Sequence, residues 1–118
     1  DLDQLLRAAL ANTEPFTITG EGLGSFGTRV LFVNVLLTPQ LKALHYDLAR
    51  QLQMAGIVLD SRPYSPHITL ATRLRASQFK QYKEQLMDFT PQYAFCCSQL
   101  SIFQFTSGGW KESGQVAL

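Results

Sequence analysis

The sequence predicts an α+β fold, an antiparallel or mixed sheet with helices packed on one side. Three observations carry that prediction. Arg29-Val30-Leu31-Phe32-Val33-Asn34-Val35-Leu36-Leu37 is nearly continuous apolar, the pattern of a strand buried on both faces in a central sheet position. Thr38 and Pro39 then open a helix carrying a stripe of leucines, so one long helix links two strands. Strands also outnumber helices in the predicted order: helix, strand, strand, helix, strand, helix, strand, strand.

Leu2, Leu5, Leu6, Ala9 and Leu10 repeat at helical spacing, which predicts a short first helix ending near Asn12-Thr13. Pro15 leads into Phe16-Thr17-Ile18-Thr19, which alternates as a strand does. Gly20, Gly22, Gly24 and Gly27 read as a glycine-rich hairpin connection. They are not a dinucleotide fingerprint, because a strand and not a helix follows them. Phe26, just before the buried strand, is assigned to the core, with an aromatic stacking role as the alternative.

In the next helix, Thr38 is the cap and Pro39 the first residue, where a missing N–H costs nothing. Leu41, Leu44, Leu48, Leu52 and Ala55 make its buried stripe, and Gly56 is placed to end it in left-handed geometry. His45 lies beside the stripe as a surface histidine; Asp47, two residues on, does not face it. Phe79, Tyr82, Leu86 and Phe89 predict a third helix with a core-facing stripe, Lys80, Lys83 and Glu84 outside and Pro91 closing it. Tyr93 to Phe105 reads as one strand, Ser107-Gly108-Gly109-Trp110 as a hairpin turn and Gly114 to Leu118 as the last strand.

With 118 residues, 46% of them hydrophobic and 16% charged, the chain is of a size and composition for one globular domain. A formal charge of +1 provides no electrostatic footprint for double-stranded DNA or an anionic membrane, and leaves room for a small anionic ligand. No apolar run approaches the roughly 20 residues of a membrane span. Asp1-Leu2-Asp3 is not a secretory signal, so the expected location is cytoplasmic or nuclear. Cys96 and Cys97 are adjacent in a predicted strand and so face opposite sides. They are expected to be two buried free thiols in a reducing compartment, neither a disulfide nor a metal site.

The stretch with chemistry in it is Arg62-Pro63-Tyr64-Ser65-Pro66-His67-Ile68-Thr69-Leu70-Ala71. As an extended strand it turns His67 and Thr69 to one face and Ile68 and Leu70 to the other, apolar one. An imidazole gives or takes a proton near neutrality, and a hydroxyl donates a hydrogen bond to an anionic oxygen. Pro63 and Pro66 bias Arg62 and Ser65 toward extended backbone. Arg62 offers a planar fork for anionic oxygens and Tyr64 an aromatic ring, with a surface or packing role as the alternative for both.

The glycine-containing loop, Phe26-Gly27-Thr28-Arg29-Val30-Leu31-Phe32, the capped helix and Ser61 to Ala71 together resemble the 2H phosphoesterase superfamily, the LigT-like or 2′-5′ RNA ligase-like proteins. The resemblance is strongest over residues 16 to 71 and covers most of the chain. It implies a two-lobed fold in which each lobe supplies one His-x-Thr/Ser motif to a groove. It also implies cleavage of 2′,3′-cyclic phosphates or 2′-5′ linkages in nucleotides or RNA, with no metal or other cofactor. His67 and Thr69 match the second motif as catalytic residues, with His67 as general base and Thr69 as phosphate donor. Arg62 and Tyr64 stand beside them as substrate-binding residues.

The sequence holds no other His-x-Thr or His-x-Ser, so part of the first lobe is missing and residues 1–118 read as a single, N-terminally incomplete domain of this kind. The first helix begins where the family's intermediate helix would. The missing strands are therefore expected from upstream residues or another chain. The expected partner is a small nucleotide or RNA end. The alternative reading is a catalytically dead nucleotide- or RNA-end-binding module, and a third is a scaffold without a ligand.

Overall fold

Nine elements follow one another in the computed structural model, which describes residues 2–118. They are α1 (Leu2–Ala9), β1 (Phe16–Phe26), β2 (Val30–Val35), α2 (Pro39–Met54), β3 (His67–Ala71), α3 (Ala76–Gln85), β4 (Gln92–Cys97), β5 (Gln99–Thr106) and β6 (Gly109–Ala117). The architecture is α+β. A four-stranded sheet runs in the order β3-β2-β1-β4, and β5 and β6 form a separate two-stranded sheet. By its internal contacts the chain divides into two units. One holds the residues up to Thr17, Thr38–Arg62 and Cys96–Leu118; the other holds Ile18–Leu37 and Pro63–Phe95.

In the first unit, α2 forms as its ends dictate. The Thr38 hydroxyl accepts from the Leu41 N–H at 3.3 Å, and Pro39 follows the cap. At the other end Gly56 takes φ +84°. Its N–H donates to the Gln53 carbonyl, while Ile57 N–H reaches back to Leu52. That pair of bonds closes the helix just past its cap, Ala55, where the backbone turns left-handed, and glycine adopts that backbone at no steric cost. Leu41 and Leu44 are buried from the stripe, as are Leu10 and Val116. α1 packs against α2 and β6, and its Arg7 bonds Asp3 one turn back and the Gln115 carbonyl.

The second unit carries the antiparallel pairs β1/β2 and β2/β3. Leu31, Phe32 and Val33 are 5%, 4% and 1% exposed. Three consecutive buried strand residues require cover on both faces, as the continuous apolar run predicts. On one face Leu31 clusters with Leu74 and Phe79, joined by Ala71 and Leu86, so α3 closes that side. The Arg75 N–H at the start of α3 is capped by the Gln78 side chain at 3.0 Å.

Several expectations fail, each for a local reason. The glycines after Thr19 do not form a loop: β1 runs through Gly20, Gly22 and Gly24 to Phe26. A register shift between Gly20 and Leu23 absorbs Gly22, at φ +78°, as an irregularity within the strand. α3 stops at Gln85, so Pro91 does not close it, and Phe89 and Tyr82 are exposed. The strand expected from Tyr93 to Phe105 breaks at Ser98 into β4 and β5 of different sheets. β6 starts at Gly109 and not Gly114. The cysteines are free, but Cys96 is exposed and Cys97 half-buried, which corrects the expectation of two buried thiols.

Candidate functional site

β3 begins at His67, and its pairing with β2 sets which way each side chain faces. His67 stands opposite Asn34 and Thr69 opposite Phe32. Directly opposed residues share a face, so His67, Thr69, Asn34 and Phe32 lie together on the face away from Leu31. Both His67 and Thr69 are exposed. After Thr69 the register shifts: Leu31 pairs with Ala71, and Leu70 is the extra residue of a bulge. Leu70 is therefore 46% exposed, and Ala71 takes the core-side position it was expected to fill.

The imidazole is oriented by three groups. Its Nδ1 lies 2.7 Å from the Ser65 carbonyl oxygen. A carbonyl only accepts, so Nδ1 carries the hydrogen and donates, and in the neutral ring Nε2 is the basic nitrogen. The ring sits edge-on to Phe26 (centroids 4.9 Å, 90°) and tilted to Phe32 (5.0 Å, 50°). Phe26 and Phe32 pack on each other at 4.5 Å. The backbone holding the Ser65 carbonyl is itself fixed, because the next carbonyl, that of Pro66, accepts from the Val35 N–H of β2 at 3.2 Å.

Phe32 lies across β1 at Gly24. A Cβ on Gly24 would come within 2.8 Å of the Phe32 ring carbon Cζ and of Asn34 Oδ1, so a side chain there has no room. Asn34 Nδ2 donates to the Leu23 carbonyl at 3.2 Å and ties the strand opposite His67 to the irregular part of β1.

Of the other sequence-predicted residues, Arg62 presents its guanidinium to the two oxygens of Asp60, 3.0 and 2.8 Å from Nε, with a further contact from the terminal nitrogen. That fork, aided by the Arg62 N–H on Oδ1, holds the Asp60 carboxyl down at about 2. Tyr64 is exposed in the approach to β3, and partial desolvation pushes its phenol above the usual range. Arg62 belongs to the first unit and Tyr64, His67 and Thr69 to the second. His45 is exposed on α2, as its helix position predicts. Two residues of the site face escaped the sequence reading: Phe26, which is exposed and not in the core, and Asn34. For Phe26 the usable signal was its even spacing from Gly24 on a strand that the glycines disguise as a loop.

The face is open. A cavity of about 600 Å³ in the same unit lies on the α3 side, against Leu31, Leu70, Tyr82 and Phe89, and neither His67 nor Thr69 lines it. The site is thus a surface bearing an oriented acid–base group, a hydroxyl two residues along and an aromatic floor. Among the described residues no helix is long and apolar enough to cross a membrane.

Comparison with known proteins bears on the family and the fold. Residues 1–109 match the sequence profile of the 2'-5' RNA ligase superfamily. An RNA 2',3'-cyclic phosphodiesterase of Geobacillus stearothermophilus is 33% identical over 76 residues, 61% of this chain and 24% of that protein. Among solved structures, that of E. coli LigT complexed with 3'-AMP superposes with a TM-score of 0.67 at 21% identity, covering 99% of this chain and 66% of that one. A crystal structure of a phosphoesterase gives 0.64 at 19% identity, covering 99% and 68%. The match thus takes in about a quarter of the curated relative, and the chain spans about two thirds of each solved one.

Proposed function

The chain belongs to the 2'-5' RNA ligase superfamily, and from that premise we propose that it supplies one half of a phosphodiesterase site acting on 2′,3′-cyclic phosphate or 2′-5′ phosphodiester bonds of nucleotides or RNA ends. The observation that carries the reading is the 2.7 Å contact between His67 Nδ1 and the Ser65 carbonyl. It commits one ring nitrogen to the backbone and reserves Nε2 for proton transfer.

In this reading His67 Nε2 takes a proton from water as the water oxygen attacks phosphorus. The Thr69 hydroxyl, on the same face, donates a hydrogen bond to a phosphate oxygen as negative charge builds there. The bond to the 2′ oxygen breaks, and that oxygen needs a proton. The acid that gives it comes from outside these residues, from strands preceding them or from another chain. Side chains alone carry the proton transfers. Tyr64 flanks the base or sugar, and Arg62 exchanges Asp60 for a phosphate as partner of its fork. Such a substrate suits a cytoplasmic or nuclear setting.

The test is hydrolysis of 2′,3′-cyclic AMP and 2′-5′ oligoadenylate by the full-length protein, before and after His67→Ala. A positioned base contributes on the order of a hundred- to ten-thousandfold in rate, so turnover is expected to fall by at least about a hundredfold with 3′-AMP binding retained. Unchanged turnover sinks the assignment. A wild-type protein that binds 3′-AMP and cleaves neither substrate would make this face a nucleotide- or RNA-end-binding module.

A further inference from the structure

The proposed chemistry uses the imidazole and the hydroxyl of the β2–β3 face and gives the solvent-facing side of the Phe26 ring no task. That ring is 42% exposed, although its neighbour Phe32, on the same face, is almost wholly covered. An aromatic residue serving only the core would be buried as Phe32 is. One serving only the surface would have no reason to pack edge-on against the imidazole, 4.9 Å away. Its position is also built. Phe32 backs it at 4.5 Å, and Phe32 can lie there because Gly24 has no side chain. The Phe26 carbonyl accepts from Arg29 N–H at 3.3 Å, and Gly27 turns the hairpin at φ +54°.

Resting on the function proposed above, we infer that Phe26 is the platform on which the substrate's nucleobase stacks while its phosphate lies at His67 and Thr69. In a nucleoside 2′,3′-cyclic phosphate the base and the phosphate hang from one ribose. A ring already in contact with the imidazole is therefore within reach of the base. The rings packed against Phe26 are those of Phe32 and His67, and a phenyl ring offers π-electrons and no hydrogen-bonding edge. Stacking of that kind uses a face common to all four bases. The platform accordingly selects for the presence of a base and is nearly indifferent to which base it is. Nucleoside cyclic phosphates are favoured over cyclic phosphates of bare sugars.

The test compares 2′,3′-cyclic AMP with base-free ribose 2,3-cyclic phosphate in the full-length protein, its Phe26→Ala variant and its Phe26→Tyr variant. Loss of one base–aromatic stack is worth about tenfold to a hundredfold. Phe26→Ala is expected to lower kcat/KM for the nucleotide, through KM, by that factor beyond any fall on the base-free substrate, where only the ring's contact with His67 is lost; Phe26→Tyr restores the nucleotide. An equal fall on both substrates makes Phe26 mere support for His67 and overturns the platform, as does no fall on either. Calorimetric binding of 3′-AMP against ribose 3-phosphate makes the same comparison without turnover. A protein that cleaves nothing refutes the phosphodiesterase reading, a fully active His67→Ala variant refutes the role of His67, and in either case the binding arm still decides the platform: selective loss of 3′-AMP affinity supports it, and unchanged or parallel affinities overturn it.

Discussion

Leu31 and Phe32 are neighbours in β2, both nearly free of solvent, yet they point into different worlds. Leu31 faces α3 and is covered by Leu74, Phe79 and Ala71, a closed apolar cluster. Phe32 faces the other way, between Gly24, Phe26 and His67. There the cover is two rings, each with a side open to solvent. The contrast shows that burial alone does not separate a core residue from a site residue. What separates them is whether the covering groups are themselves covered.

Substitutions on the two faces sharpen or break that contrast. The largest stability effect belongs to Leu31→Ala. Truncating a buried leucine costs about 2–5 kcal/mol, read as a lower urea midpoint, while the fraction that remains folded is expected to keep its activity. Leu70→Ala, the same truncation one strand away, is expected to cost less than about 1 kcal/mol, because that side chain is already 46% exposed at the bulge. Equal costs for the two leucines would disprove the register that separates them.

Gly24→Ala falls between these and differs in kind. Its added methyl collides with the Phe32 ring and Asn34, so overpacking is expected to cost about 1–3 kcal/mol. Unlike Leu31→Ala it should also lower turnover, since the displaced ring supports His67. A Gly24→Ala protein with full activity per folded molecule would show that the aromatic floor does not matter to the site. The smallest effect is electrostatic and lies on neither face. Asp60, at about 2 beside Arg62, has its folded value below the model-peptide 3.8. Its contribution to stability is therefore present above about pH 4 and is lost as pH falls toward 2. Following its carboxyl by NMR should place the midpoint near the lower value, and Arg62→Gln should return it upward.

Much of this was legible in the sequence where a local rule has few competitors. The run from Val30 to Val35 could only be a doubly covered strand, and Thr38-Pro39 with Gly56 bracketed α2 at both ends. His67 and Thr69 sharing a face followed from the two-residue period of a strand. The failures arise where tertiary pairing overrides local preference. Gly20, Gly22 and Gly24 read as a loop because glycine is a strand breaker. Here it is retained because a neighbouring ring crosses the strand. The bulge at Leu70 and the break at Ser98 depend on register with partners far along the chain, which periodicity within one segment does not report. Phe26 was misassigned for the same reason: only the pairing with β2 reveals that it shares a face with the imidazole.

The group that orients His67 is a main-chain oxygen, and this has an evolutionary and practical corollary. A carboxylate or amide in that role is removed by a single codon change, whereas the Ser65 carbonyl survives every substitution at its own position. The orientation travels with the path of five consecutive residues, Ser65 to Thr69, stiffened by the pyrrolidine ring between them. A designer wishing to install a pre-aimed imidazole on the edge of another sheet would need to transplant only that pentapeptide and one N–H to dock it.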